Sequence, residues 1–289
     1  MKKIAILGCE NSHANAFLKF IKEKEEFSDV EVVGVYSEEI EAAEKLNEKF
    51  GVPVLNGYAE AVGRIDGLII TARHGDRHYQ YAKPYIDSGI PMFIDKPITI
   101  DEDEAVRFMR ALMDKNIRIT GGSSLKRDAF VSRLRKDAEN SAGGRTIGGY
   151  VRAPYQSDSV YGGFYFYAQH LVEMVCEIFG RFPLSVAAKQ NGKQIHVLFH
   201  YEEYDCVGLL CDKNYFYYVS RMAESDAMSF AVPSTEDWFY EEFKEFYGIL
   251  SGDKQTVSYK EFVSPVFIMN AIERSLKSGK EEPVGMIKL

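Results

Sequence analysis

The sequence predicts an α/β fold in two domains. An N-terminal doubly wound parallel sheet occupies residues 1–122, and an α+β domain on an open, mostly antiparallel sheet occupies residues 123–289. Three observations carry this expectation. Apolar strand-like runs alternate with single helices up to Gly122, which implies parallel pairing and right-handed crossovers. Those runs are almost continuously apolar, as suits a sheet buried on both faces. After Gly122 several strand-like runs follow one another without a helix between them, which implies antiparallel or mixed pairing.

The elements follow in order. Lys3–Leu7 is a strand that stops at Gly8, and Ala14, Phe17, Leu18 and Ile21 recur at helical spacing behind Ser12 as N-cap. Val30–Tyr36 is the second strand, followed by a helix that buries Ile40, Ala43, Leu46 and Phe50 and ends at Gly51. Pro53–Leu55 is a short third strand and Gly67–Thr71 a fourth, and a helix over Arg77–Ser88 closes at Gly89. Met92–Ile94 is the fifth strand; Asp101 and Glu104 form a capping box ahead of Ala105, Phe108, Met109 and Leu112; Arg118–Thr120 is the sixth strand. The second domain opens with a helix over Arg127–Glu139, a strand at Ile147–Arg152 and a helix over Gln169–Phe179. Strands at Ser185–Ala188, Ile195–Tyr201, Val207–Cys211 and Tyr215–Ser220 follow, and helices over Glu236–Leu250 and Lys260–Lys277 close the chain.

Composition bounds the function. A chain of 289 residues with a net charge of −8 repels phosphate backbones and anionic lipid, which argues against nucleic-acid and membrane partners. Cys9, Cys176, Cys206 and Cys211 form no CxxC pair, and reduced thiols are expected. No stretch reaches membrane-spanning length, and a cytoplasmic location is expected.

The first sheet is Rossmann-like, so its ligand site lies beyond the carboxyl ends of the strands. The first turn reads Gly8-Cys9-Glu10-Asn11-Ser12-His13 and keeps only the first glycine of a GxGxxG fingerprint. Glu10 stands where the backbone should approach a diphosphate, and His13 where a helix should pack closely. The second strand runs into Ser37-Glu38-Glu39. Ser37 takes the place of the acidic residue that holds an adenosine ribose, and the glutamates beside it would repel a 2′-phosphate, which favours NAD over NADP. Glu10, His13, His74, His78 and His170 could face one cleft, but their spacing is not diagnostic and no metal is assigned. The aromatics from Tyr155 to Tyr167 read as core or subunit contacts, and Trp238, Phe239, Tyr240, Phe243 and Phe246 as the core face of a helix.

Further motifs are Arg73-His74-Gly75-Asp76-Arg77-His78 after the fourth strand, Asp95-Lys96-Pro97 after the fifth, and Tyr167-Ala168-Gln169-His170 opening an apolar helix. With Val257-Ser258-Tyr259-Lys260-Glu261 and the closing helix, the whole chain resembles the glucose-fructose oxidoreductase/inositol dehydrogenase (Gfo/Idh/MocA) family. Asp95-Lys96-Pro97 looks like its Glu-Lys-Pro motif, and His170 like the histidine of its Asp-x-x-x-His motif. The resemblance implies a cofactor, NAD or NADP, held by Gly8, Cys9, Glu10, Asn11, Ser37, Ala72, Arg73, His78, Asp95 and Lys96. It implies Lys96 and His170 as catalytic residues acting on a sugar, polyol or related small molecule, and a homo-oligomer, dimer or tetramer, formed through the second sheet. Phe166 departs from the pattern, standing where the family has its aspartate. A rival reading is a non-redox metabolite sensor or accessory protein with a decayed cofactor site. A third is elimination or hydrolysis through transient oxidation.

Overall fold

The structure is a computed structural model and describes residues 1–235 and 237–289. The first sheet comprises β1 (Lys2–Leu7), β2 (Val30–Tyr36), β3 (Gly67–Ile70), β4 (Met92–Asp95) and β5 (Ile119–Gly122), all parallel, in the order β2-β1-β3-β4-β5. The expected strand at Pro53–Leu55 shrinks to a single parallel bridge, Val54 beside Val35. It is held by Val35 N to Pro53 O and Leu55 N to Val35 O, both 2.9 Å. Proline has no N–H to extend the ladder. Counting that bridge, the spatial order is the 3-2-1-4-5-6 of a dinucleotide-binding sheet.

The crossover helices are α1 (Ser12–Glu23), α2 (Ile40–Phe50), α3 (Asp76–Ala82) and α4 (Glu102–Asp114). The helix expected through Ser88 tightens into a 3₁₀ segment at Lys83–Ser88, where Pro84 cannot donate the next helical bond. Asp101 caps α4 by accepting from Glu104 N at 2.7 Å, but the Glu104 side chain accepts from Thr99 Oγ1 instead of closing the box. A complete capping box forms at Ser258 and Glu261.

In the second domain, a 3₁₀ turn at Ser124–Arg127 precedes α5 (Ala129–Glu139), which Asp128 caps. Then come β6 (Thr146–Tyr155), α6 (Tyr165–Phe179), β7 (Ser185–Asn191), β8 (Gln194–His200), β9 (Asp205–Asp212), β10 (Tyr217–Ala223), β11 (Ala227–Val232), α7 (Asp237–Ser251), α8 (Tyr259–Ser278) and β12 (Glu282–Pro283). The expected start of α7 at Glu236 lies outside the described residues. The sheet order is β11-β10-β6-β9-β8-β7-β12, antiparallel except for the β6–β9 pair. β11 and β12 are edge strands that the sequence reading did not separate from loops. β11 buries only Val232, so it carries little apolar signal.

The two sheets part after Gly122, but the last helices serve both. Phe243, Phe246 and Ile249 of α7 share a core with Ile4, Phe17 and Phe93 of the first sheet layer. α8 sends Phe262, Val263, Val266 and Phe267 into the other face of the first sheet, and Ile268, Met269, Ala271 and Ile272 into the core of the second. Both sheets are therefore fastened by the same C-terminal chain, and the cleft between them is framed on rigid elements.

Phe243 is fully buried, with its ring 4.8 Å from Phe27 and 5.2 Å from Phe17. Phe243→Ala is expected to lower stability by about 3–5 kcal/mol, read as a fall in the urea midpoint. A change within ordinary scatter would show that α7 is not part of this core.

Candidate active site

Gly8 ends β1 with φ of 76°, and a Cβ there would lie 2.3 Å from Ala72 Cα. Only glycine allows this approach of the first turn to the end of β3. Asn11, not Ser12, is the N-cap of α1, and its side chain caps no amide. Its Nδ2 instead donates to Asp95 Oδ2 at 2.7 Å. With no acidic residue in its first turn, α1 turns unspent N–H groups and a positive dipole end toward the cleft, the usual setting for a diphosphate.

The two misfits of the first turn have definite places. The Glu10 carboxylate accepts from Ser37 Oγ at 2.7 Å and from the Arg73 amide at 2.9 Å, across the ends of β1, β2 and β3. His13 is 3% exposed and packs against Phe17, Phe93 and Phe239. Its Nε2 lies 3.1 Å from Glu242 Oε2 on α7 and its Nδ1 3.4 Å from Asp95 Oδ2. Burial opposes a charge on His13, but the carboxylates of Asp95 and Glu242 outweigh it and raise the imidazole pKa.

Lys96 follows Asp95 at the end of β4 and is 4% exposed. Its Nζ lies 4.7 Å from the centroid of the Phe166 ring and 5.6 Å from that of Tyr167. Burial lowers its pKa, although Asp95 and Glu242 partly offset that. Asp95 is fully buried, its pKa is raised by burial against the pull of His13 and Lys96, and its Oδ1 has no hydrogen-bond partner. His170, in the first turns of α6, lies with Nδ1 2.6 Å from Ser123 Oγ just beyond β5. Burial, with the positive charges of Lys96 and His13, holds its pKa well below the usual value, so it is neutral.

A cleft of about 500 Å³ brings these together, lined by Asn11 and Ser12 of the α1 terminus, Arg73, Lys96, His170 and an aromatic wall that includes Phe166, Tyr167 and Tyr217. Arg73 Nη1 donates to Tyr161 Oη at 3.0 Å, and Tyr161 Oη donates to Glu39 Oε1 at 2.8 Å, so Tyr161 crosses from the second domain to the ends of β2 and β3. The residues present fit a dinucleotide: a glycine-only close approach, an open helix terminus, an unpartnered buried carboxylate oxygen, and a lysine without an ion-pair partner among the described residues.

The structure brings Lys96, His170, Asn11 and Arg73 to the cleft; Asp95 lies buried behind Asn11, which donates to it, Gly8 and Ala72 form the close backbone contact of the first turn, and Glu10 pairs with Ser37 at the end of β2. The structure does not bring Cys9 or His78 to the cleft. The Cys9 amide donates to Tyr36 O, and its thiol is buried and pushed up to about 12 by burial. His78 is fully buried, with Nε2 2.8 Å from Ala72 O and Nδ1 3.2 Å from Ile98 O, so its polar atoms are used in holding loop backbones. His74 pairs with Asp76 instead of the cleft, and among the described residues no three His, Cys, Asp or Glu side chains form a metal-binding group. All four cysteines are free and buried.

Residues 2–122 match the profile described as the oxidoreductase family, NAD-binding Rossmann fold. Over that segment the chain is similar to the Gfo/Idh/MocA family. Solved structures extend the likeness in fold over nearly the whole chain. A putative myo-inositol dehydrogenase from Sinorhizobium meliloti 1021 is 15% identical with a TM-score of 0.84, covering 99% of this chain and 100% of that one. A probable dehydrogenase from Thermotoga maritima is 14% identical with a TM-score of 0.84, over 98% and 99%. The scyllo-inositol dehydrogenase of Lactobacillus casei, with NAD(H) and scyllo-inositol bound, is 13% identical with a TM-score of 0.83, over 98% and 99%. No protein of curated function matches the sequence significantly.

Sequence reasoning missed the partners of the family residues. Glu242 lies far along the chain and meets His13 only through folding. Ser123 had a signal: a polar side chain immediately past the last parallel strand stands at the ligand end of such a sheet.

His78 also makes a pH prediction. Burial lowers its pKa from 6.5 to about 4 in the folded protein. Above pH 6.5 it is neutral in both states and adds no pH dependence. As pH falls from 6.5 to 4 the unfolded chain takes up a proton that the folded chain refuses, so stability drops by about 3 kcal/mol. The stability advantage of the wild type over His78→Gln, from urea midpoints, should shrink by that amount across this window. A constant advantage would show an ordinary histidine.

Proposed function

We propose that this protein is a dehydrogenase transferring a hydride between NAD(P) and a hydroxyl or carbonyl carbon of a sugar, polyol or related small metabolite. One observation carries the reading. A buried lysine, held on aromatic faces with no carboxylate within ion-pair distance among the described residues, opens on the same cleft as a free helix N-terminus and a neutral histidine. The Lactobacillus casei relative with scyllo-inositol bound supports the polyol class.

The residues divide the work. The unspent amides of α1 and the Arg73 guanidinium would hold the diphosphate of a bound cofactor. Asp95, buried behind the cleft, accepts from Asn11 Nδ2 and positions the first turn. When bound, the nicotinamide takes up or delivers the hydride. Lys96 sits at the reacting oxygen. Its lowered pKa lets it take the hydroxyl proton in oxidation, and its ammonium returns that proton to a carbonyl oxygen in reduction. Ser123 Oγ accepts from Leu125 N at 3.3 Å, which leaves its own proton to donate to His170 Nδ1. His170 Nε2 then carries the other proton and donates to the substrate oxygen, orienting it. Ser123 thus supplies a neutral partner for His170, and Phe166, which stands where the family has its aspartate, serves as a face for Lys96. Of the four residues that favoured a sensor with a decayed site, Glu10 and Ser37 are paired with each other, Glu10 also with Arg73, His13 lies between Asp95 and Glu242, and Phe166 faces Lys96, which supports the catalytic reading.

We further propose a homo-oligomer through the outer face of the second sheet. Val207 of β9 is exposed there beside half-buried Leu209 on the same strand and Leu198 on β8, and Met222 is exposed on β10. Light scattering on the eluting protein should report a dimer or tetramer; a monomer at micromolar concentration would remove this interface.

Lys96→Met should lower kcat by about 10³-fold or more while NADH binding, followed by nicotinamide fluorescence, stays within about threefold. An unchanged rate would take Lys96 out of the chemistry. Ser123→Ala should lower kcat about tenfold and shift the acid limb of the pH–rate profile, with KM little changed. A parallel change in KM alone would make Ser123 a binding residue only.

A further inference from the structure

Two departures from the dinucleotide fingerprint meet at one point of the fold. Glu10 stands where the second glycine is expected, and Ser37 where the end of β2 should bring a carboxylate to the adenosine ribose. Taken separately, each weakens a cofactor site. In space they are a single pair, with Ser37 Oγ donating to Glu10 Oε2 at 2.7 Å. The Arg73 amide fixes the other oxygen, Oε1, at 2.9 Å. Ser37 Oγ itself accepts from Glu39 N at 3.0 Å, so the serine is locked in place as well. Ser37 is 3% exposed, whereas Glu10 is only half-buried. The more exposed of the two groups at the end of β2 is therefore a carboxylate, delivered from the first turn instead of from the strand. The short serine at position 37 leaves room for it.

We propose that Glu10 is the acceptor for the adenosine ribose diol and selects NAD over NADP. This rests on the dehydrogenase reading and names the residue that chooses its cofactor. Each Glu10 oxygen makes one hydrogen bond and keeps capacity for another, which suits the two donors of a vicinal diol. A 2′-phosphate offers only acceptors and close to two negative charges. It would meet Glu10 with Glu38 and Glu39 close by. Of the nearby cations, Arg77 is paired with Glu38 at 3.1 Å, and Arg73 lies against Tyr161.

The test is a titration of wild type, Glu10→Gln and Glu39→Gln with NADH and with NADPH, following nicotinamide fluorescence, with thermal melting to confirm each fold. Wild type should bind NADH about tenfold or more tighter than NADPH. Glu10→Gln should bring the two nucleotides within about threefold of each other, while Glu39→Gln keeps most of the wild-type preference. NADPH binding as tight as NADH in wild type, as when Arg73 seats the extra phosphate, would overturn the assignment and leave the dehydrogenase reading standing. So would a preference that survives Glu10→Gln, or one lost only in Glu39→Gln. Binding of neither nucleotide would overturn both.

Discussion

The cleft depends on a line of buried charge that runs beneath it. Asp95, His13, Glu242, Arg127 and Glu245 succeed one another from β4 through α1 to α7 and the turn before α5. Single ions at such depth would be expelled or neutralised, because removing each from water costs several kcal/mol. Here signs alternate, and with Lys96 beside Asp95 the three carboxylates face three cations when His13 carries its proton. The charges on both sides of His13 raise its pKa toward that state. Removing one member would strand its neighbours, so the line holds α1, β4 and α7 in one register and thereby sets where Lys96 emerges.

Packing and charge cooperate in this. α7 brings Phe243 and Phe246 to the face of the first sheet, while Glu242 on the same helix reaches His13. The apolar burial supplies the attraction and the ion pairs supply the orientation. α8 fastens the opposite face of that sheet to the second domain. A cleft whose two walls are tied by the same chain keeps His170 and Lys96 at a constant offset. On the substrate side the wall is aromatic, and cations stack on it: Lys96 on Phe166 and Tyr167, Arg73 on Tyr161. Desolvation there depresses the Lys96 pKa.

Much of the architecture was legible because it rests on local periodicity. The parallel strands, the helices with Gly51 and Gly89 at their ends, and the change of pattern after Gly122 all follow from apolar spacing and turn chemistry. The errors are local too. Pro53 reduced a strand to one bridge, Pro84 turned half a helix into 3₁₀, and the polar edge strand β11 had too little apolar alternation to declare itself. Motif order pointed to Lys96 and His170, which both line the cleft, whereas Cys9 and His78, also expected at the cofactor, have polar atoms engaged with loop backbones.

The amino-acid order by itself determined which segments pair, which faces are buried, and that a lysine and a histidine would lie beyond the strand ends. It could not show that Glu10 and Ser37 are partners, or that His13 is seated between the buried carboxylates of Asp95 and Glu242. Hydrophobic spacing acts over neighbouring residues and is written along the chain. A hydrogen bond or ion pair between distant residues depends on ångström-scale distances and on a dielectric that exist only once the helices have packed.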